Sequence, residues 1–133
     1  MREPDLFIDG WRLHSGEQYH AAAPDTFLIP PRMARQNLWP GYLAKLIFEI
    51  HVDNDEDPCR VERMWVIVRE LTKEGYLGIL DNNPYCIEEN DELWSGIELP
   101  FGPHHIIAIE VPDERSVKIA DSTPIRRWPP EIA

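Results

Sequence analysis

Several things are scarce in this chain, and each scarcity removes a class of protein. No apolar stretch approaches the roughly 18–20 residues that a membrane-spanning helix needs. The amino-terminal MREPDLFIDG has neither an apolar h-region nor a small-residue cleavage site. No secretory signal is read, and a cytoplasmic protein is expected. Cysteine occurs twice, at Cys59 and Cys86. Two thiols without a secretory signal are expected to be reduced, and they are too few for structural zinc unless histidines join them. Basic residues are outnumbered: 13 Lys and Arg stand against 24 Asp and Glu, a formal net charge of −11. That charge repels a phosphate backbone and argues against a nucleic-acid binder.

Catalytic motifs are missing too. There is no G-x-S-x-G elbow, no P-loop and no G-x-G-x-x-G. Asp53, Asp55 and Asp57 alternate like the start of a calcium loop. Pro58, however, stands where an EF-hand needs Gly, and Met64 where it needs a bidentate Glu. His104 and His105 are adjacent; on a strand they point to opposite faces and do not share a metal. Cys86 is followed by Glu88 and Glu89, whose charge raises a thiol pKa and makes a poor nucleophile. The chain is therefore read as non-enzymatic, with no metal site and no cofactor.

What is present is acid, unevenly placed. Residues 81–114 hold nine Asp and Glu and no Lys or Arg. Glu88, Glu89, Asp91 and Glu92 form the densest part, next to Trp94. A second group, Asp53 to Asp57, lies in an expected loop. The tail carries Arg115, Lys118, Arg126 and Arg127, which can fold back on the acidic stretch.

At 133 residues, 43% of them apolar, the chain is long enough for one domain with a modest core. Thirteen prolines cut it into short pieces and favour strands and turns over long helices. Leu6–Ile8 and Trp11–Leu13, separated by Asp9-Gly10, read as a hairpin. Residues 14–24 read as a loop. Pro31 to Leu38 read as one or two helical turns with Pro31 in the first. In residues 43–52, Ala44, Leu46, Phe48, Ile50 and Val52 share one face, a half-buried strand pattern. Residues 61–72 repeat it, and Lys73-Glu74-Gly75 turns the chain into a third strand over 76–80. Residues 97–101 and 105–111 read as two more strands. The expected fold is a β-rich α+β domain over residues 1–111: a strongly bent sheet, or SH3-like partly open barrel, of about five strands. Residues 112–133 are expected to form a Pro-rich extended tail.

The segments NLWPGYLAKLIFEI, VERMWVIV, GYLGILDNNP and FGPHHI, in that order, resemble the bacterial family catalogued as domain of unknown function 2314. The resemblance spans roughly residues 37–109. It rests on Trp65, Tyr76, Gly78, Asn82, Asn83 and Pro84, then on Phe101 to Ile106. Asn90 to Gly96 depart from the family pattern. The resemblance implies a bacterial source and a small β-rich fold, and it brings no catalytic residue.

The functional expectation is a non-enzymatic acidic binding module for a basic protein. One version is an immunity-type inhibitor of a basic toxin, with Glu88, Glu89, Asp91, Glu92 and Trp94 at the interface. The alternative is a small-ligand or peptide-binding barrel whose groove is lined by Trp65, Tyr76, Tyr85 and Trp94.

Overall fold

The computed structural model describes residues 1–130. The chain is mainly β, a curled antiparallel half-barrel with a few short helices, as the alternating patterns predict. In chain order the elements are α1 (Leu6–Asp9), β1 (Trp11–Leu13), α2 (Gly16–Ala22), α3 (Arg32–Gln36), β2 (Leu43–His51) and β3 (Cys59–Leu71). They are followed by β4 (Tyr76–Leu80), β5 (Glu98–Phe101), a 3-10 turn (Pro103–His105), β6 (Ala108–Glu110) and α4 (Glu114–Ala120).

The sheet runs β1-β2-β3-β4-β5, all antiparallel. β2 and β3 are its spine, paired from Leu43 opposite Ile67 to His51 opposite Cys59. β1 and β6 share the other edge of β2, β1 opposite residues 48–50 and β6 opposite residues 43–45. Ala44, Leu46, Phe48 and Ile50 from β2 and Met64, Val66 and Val68 from β3 enter the core, the faces the period of two selects. A register shift between Val68 and Glu70 bends β3. Opposite Val68 sits Gly78, where a Cβ would lie 2.6 Å from the Ile67 carbonyl oxygen and from a Val66 methyl. Only glycine lets β3 and β4 approach so closely.

Five expectations are corrected. Asp9-Gly10 is no hairpin turn. The Asp5 carboxylate accepts the N–H groups of Phe7 (2.8 Å) and Ile8 (3.0 Å), which starts α1, and Gly10 ends it with φ +81. β1 pairs with β2 instead. Residues 14–24 contain α2, because the Ser15 hydroxyl accepts the Gln18 N–H at 3.1 Å. Of residues 105–111, Ala108–Glu110 form a strand, and His105 belongs to the 3-10 turn before it. Pro31 precedes α3 as its cap residue rather than lying in its first turn.

The fifth correction concerns residues 112–133. They are not an extended tail. Asp113 and Ser116 cap α4 reciprocally, at 2.6 and 2.9 Å. α4 packs on β3 and β4, and its Ser116 and Ala120 are buried. Ile67 and Ile79, a cross-strand pair, are buried without joining the main core cluster. Beyond α4 the chain runs along β5, where the Glu98 N–H donates to the Arg126 carbonyl at 2.9 Å. Trp128 then enters the core, edge-on to Trp11 at 6.0 Å between ring centroids. Residues 131–133 lie outside the described residues.

Candidate functional site

The acidic loop between β4 and β5 is built before it is charged. At its start, the Glu62 carboxylate on β3 accepts the N–H groups of Tyr85 (2.8 Å) and Cys86 (2.9 Å). At its end, Leu93 is 1% exposed and belongs to the core. Between them, Asn90 fastens the loop to itself. Its amide donates to the carbonyls of Glu88 (2.9 Å) and Leu93 (3.2 Å), and its oxygen accepts the N–H groups of Glu92 (2.9 Å) and Leu93 (2.8 Å). Glu88, Glu89, Asp91 and Glu92 are thereby held outward, all four exposed.

Among the described residues none of these four carboxylates forms an ion pair. The basic tail does fold back, but elsewhere on the stretch. Arg115 takes Asp81 with two hydrogen bonds, at 2.5 and 2.9 Å. Arg126 donates to the backbone carbonyl of Asp91 and leaves its carboxylate free. On either side of the loop is a cavity of about 320 Å³. One is lined by Trp94, Ile97, Ile125 and Arg126. The other is floored by Trp11, Ile50 and Leu93, with Glu88 and Glu92 also lining it.

The expected aromatic groove does not form around its four residues. Tyr76 belongs to the core at 4% exposure, its hydroxyl donating to the Arg35 carbonyl at 2.7 Å. Tyr85 is 97% exposed. Trp65 lies under the Lys45 ammonium, 5.5 Å from the ring centroid, on the strand pair that places them opposite each other. Trp94 is half-buried beside the acidic loop. The cavity that touches Tyr76 includes none of the other three. β-alternation and tight packing of β4 against β5 took Tyr76 inward, a choice that an aromatic count does not reveal.

The two cysteines are free. Burial first, and then Glu62, push the Cys86 thiol up to about 11. The direction is the expected one, but the carboxylate responsible is Glu62 on β3, not Glu88 or Glu89. Cys59 is raised by partial burial and by Glu49. In residues 53–57, Asn54 accepts the N–H groups of Glu56 and Asp57, both at 3.1 Å. Asp57 pairs with Arg60 at 3.0 Å.

The histidines hold the main surprise. The 3-10 turn sets the rings of His104 and His105 side by side, 3.8 Å between centroids, where a strand would have parted them. Arg35 secures the turn, donating to the Pro103 carbonyl at 2.8 Å while pairing with Glu17 at 2.7 Å. Glu3 joins them, and the three residues place one donor atom each within 4.8 Å of one another. They border a cavity of about 370 Å³. The signal in the sequence was Gly102-Pro103 before the pair, since proline at the first position of a short helical turn starts one.

No protein-family model, curated protein or solved structure matches this chain.

Proposed function

We propose that this protein is a non-enzymatic binding module that docks its ordered acidic loop onto a basic protein. The observation that carries the reading is the set of four exposed, unpaired carboxylates, Glu88, Glu89, Asp91 and Glu92, on a loop fixed by Asn90, Glu62 and Leu93. An ordered loop loses less entropy on docking than a mobile one. Unpaired carboxylates give a basic partner attraction without an internal ion pair to break. With a net charge of −11, the long-range field speeds encounter in the same sense. Half-buried Trp94 supplies uncharged contact surface beside the carboxylates. A nuclease-type toxin, whose substrate site must be positive, is a partner of this chemistry, and an inhibitor of such a toxin is the form of the proposal. The resemblance of residues 37–109 to the bacterial family described above belongs to the same proposal and adds no activity.

The test is capture of partners by the immobilised chain at low and at high salt, beside a variant carrying Glu88→Lys, Glu89→Lys, Asp91→Lys and Glu92→Lys. The expected result is a basic protein held by the parent at low salt, released at high salt and ignored by the variant. A partner that, once purified, binds parent and variant equally well would end this reading.

A further inference from the structure

The cavity of about 370 Å³ lies away from the acidic loop, between the amino-terminal segment, the β3–β4 turn and the 3-10 turn. Its size falls at the small end of ligand pockets. Its floor includes the buried rings of Tyr76 and Phe101 and the buried imidazole of His105. Its rim carries Glu3, Lys73, Glu74 and His104, all exposed.

His105 is the informative residue. It is 8% exposed, and the Gly102 N–H donates to its Nδ1 at 2.9 Å. An accepting Nδ1 places the ring proton on Nε2. Burial, and then the neighbouring His104, hold its pKa down at about 3, so the ring stays neutral. Among the described residues Nε2 has no hydrogen-bond partner, and it is not sealed from solvent. An N–H donor open to solvent and without a protein acceptor is therefore left on a residue that lines the cavity.

This state argues against a metal held by Glu3, His104 and His105. One nitrogen of His105 is taken by Gly102 and the other carries a proton, so neither offers a free lone pair. Coordination would break a buried hydrogen bond. What the ring offers is a donor. The rim adds charges of both signs: among the described residues Lys73, Glu3 and Glu74 form no ion pair. A lone anion would meet Glu3 and Glu74, and a lone cation would meet Lys73.

We propose that this cavity binds a small zwitterion of the amino-acid type. Its carboxylate takes the His105 Nε2–H and the Lys73 ammonium, its amino group takes Glu3 and Glu74, and its side chain lies on Tyr76 and Phe101. A neutral imidazole N–H and an ammonium together suit a single carboxylate, and the two rim carboxylates suit a single ammonium. The site is independent of the acidic loop.

The test is calorimetric titration of the full chain with each of the common L-amino acids in turn, at millimolar concentration, with NMR observation of the His105 ring nitrogens. At least one amino acid is expected to bind with one-to-one stoichiometry and to shift the Nε2 resonance. Lys73→Met and Glu3→Gln, both at exposed positions, are each expected to weaken it by roughly tenfold. Three results would overturn the proposal. One is no heat from any amino acid. Another is binding that ignores both substitutions and leaves the His105 resonances unmoved. The third is zinc binding, lost in Glu3→Gln and His104→Ala, in a chain that takes no amino acid; the cluster would then be a metal site.

Discussion

Glu62 and Cys86 are joined twice: the Glu62 carboxylate accepts the Cys86 backbone N–H at 2.9 Å and lies against its thiol. Each alters the other. Burial and this carboxylate push the thiol up to about 11 from 9.0. Burial alone would raise Glu62, but the Cys86 thiol and the N–H groups of Tyr85 and Cys86 hold it below its ordinary value. Alkylation follows the thiolate, so at pH 8 Cys86 should react roughly a hundredfold more slowly than an unperturbed thiol of equal exposure. Glu62→Gln should speed the reaction. Peptide mapping after a timed iodoacetamide pulse reads both rates. A Cys86 that reacts like a free thiol would show that burial and the Glu62 carboxylate do not hold the thiol protonated.

Asn90 separates order from charge. It bonds four backbone groups of the acidic loop and carries no charge itself. Asn90→Ala leaves all four carboxylates in place and removes those bonds. The expected local cost is about 1–3 kcal/mol. It should appear as faster amide hydrogen exchange at Glu92 and Leu93. Binding of a basic partner should weaken although the net charge is unchanged. If exchange quickens and binding holds, charge alone carries the docking.

Trp128 tests whether the carboxy-terminal segment belongs to the fold. It is 8% exposed, packs edge-on to Trp11, lies beneath the Arg2 guanidinium and donates its indole N–H to the Arg2 carbonyl at 3.0 Å. Trp128→Ala should cost about 3–5 kcal/mol in urea unfolding, in line with other large-to-small core changes. Arg127→Ala, next to it and exposed, should stay within about 0.5 kcal/mol. Equal stability of the two variants would return the segment to a loose tail.

The central sheet was legible because alternation writes itself into sequence. Leu46, Phe48 and Ile50, and Met64, Val66 and Val68, mark one face of each strand, and the Lys73-Glu74-Gly75 turn joins β3 to β4. The short helices were harder, since four to seven residues carry little periodicity. Their signal lay in the caps: Asp5, Ser15 with Gln18, and Asp113 with Ser116. The acidic loop was visible as composition, but its order depends on Asn90 and on Glu62, which sits on a different strand. Tyr76 and Trp128 were misplaced for a related reason. Which aromatic rings go inward is settled by neighbours distant in the chain, Phe101 and Arg35 for one and Trp11 and Arg2 for the other.

His105 sets the last prediction, through pH. Its ordinary value is 6.5, and burial followed by the charge of His104 lowers it to about 3 in the fold. The titratable groups beside it include the tilted His104 ring and the Glu3 carboxylate, with Lys73 and Glu74 on the same cavity. Above pH 6.5 the ring is neutral whether the chain is folded or not, and its contribution to stability is complete. Below 6.5 the unfolded chain takes up a proton that the folded chain refuses. Stability is therefore lost progressively as pH falls toward about 3. One proton gives a slope of at most about 1.4 kcal/mol per pH unit. The carboxylates held below their ordinary range, Asp9, Glu17, Glu49 and Glu62, begin to lose stability only further down, near or below their ordinary values. Between about pH 5 and 6.5 these carboxylates therefore add little slope, and a His105 variant reads the contribution of His105 itself. Urea unfolding across that window should show the slope in the parent and a much flatter line in His105→Asn, whose amide oxygen can still accept the Gly102 N–H. Parallel lines for the two proteins would mean that the imidazole is not held neutral, and the donor assigned to the cavity would be lost with it.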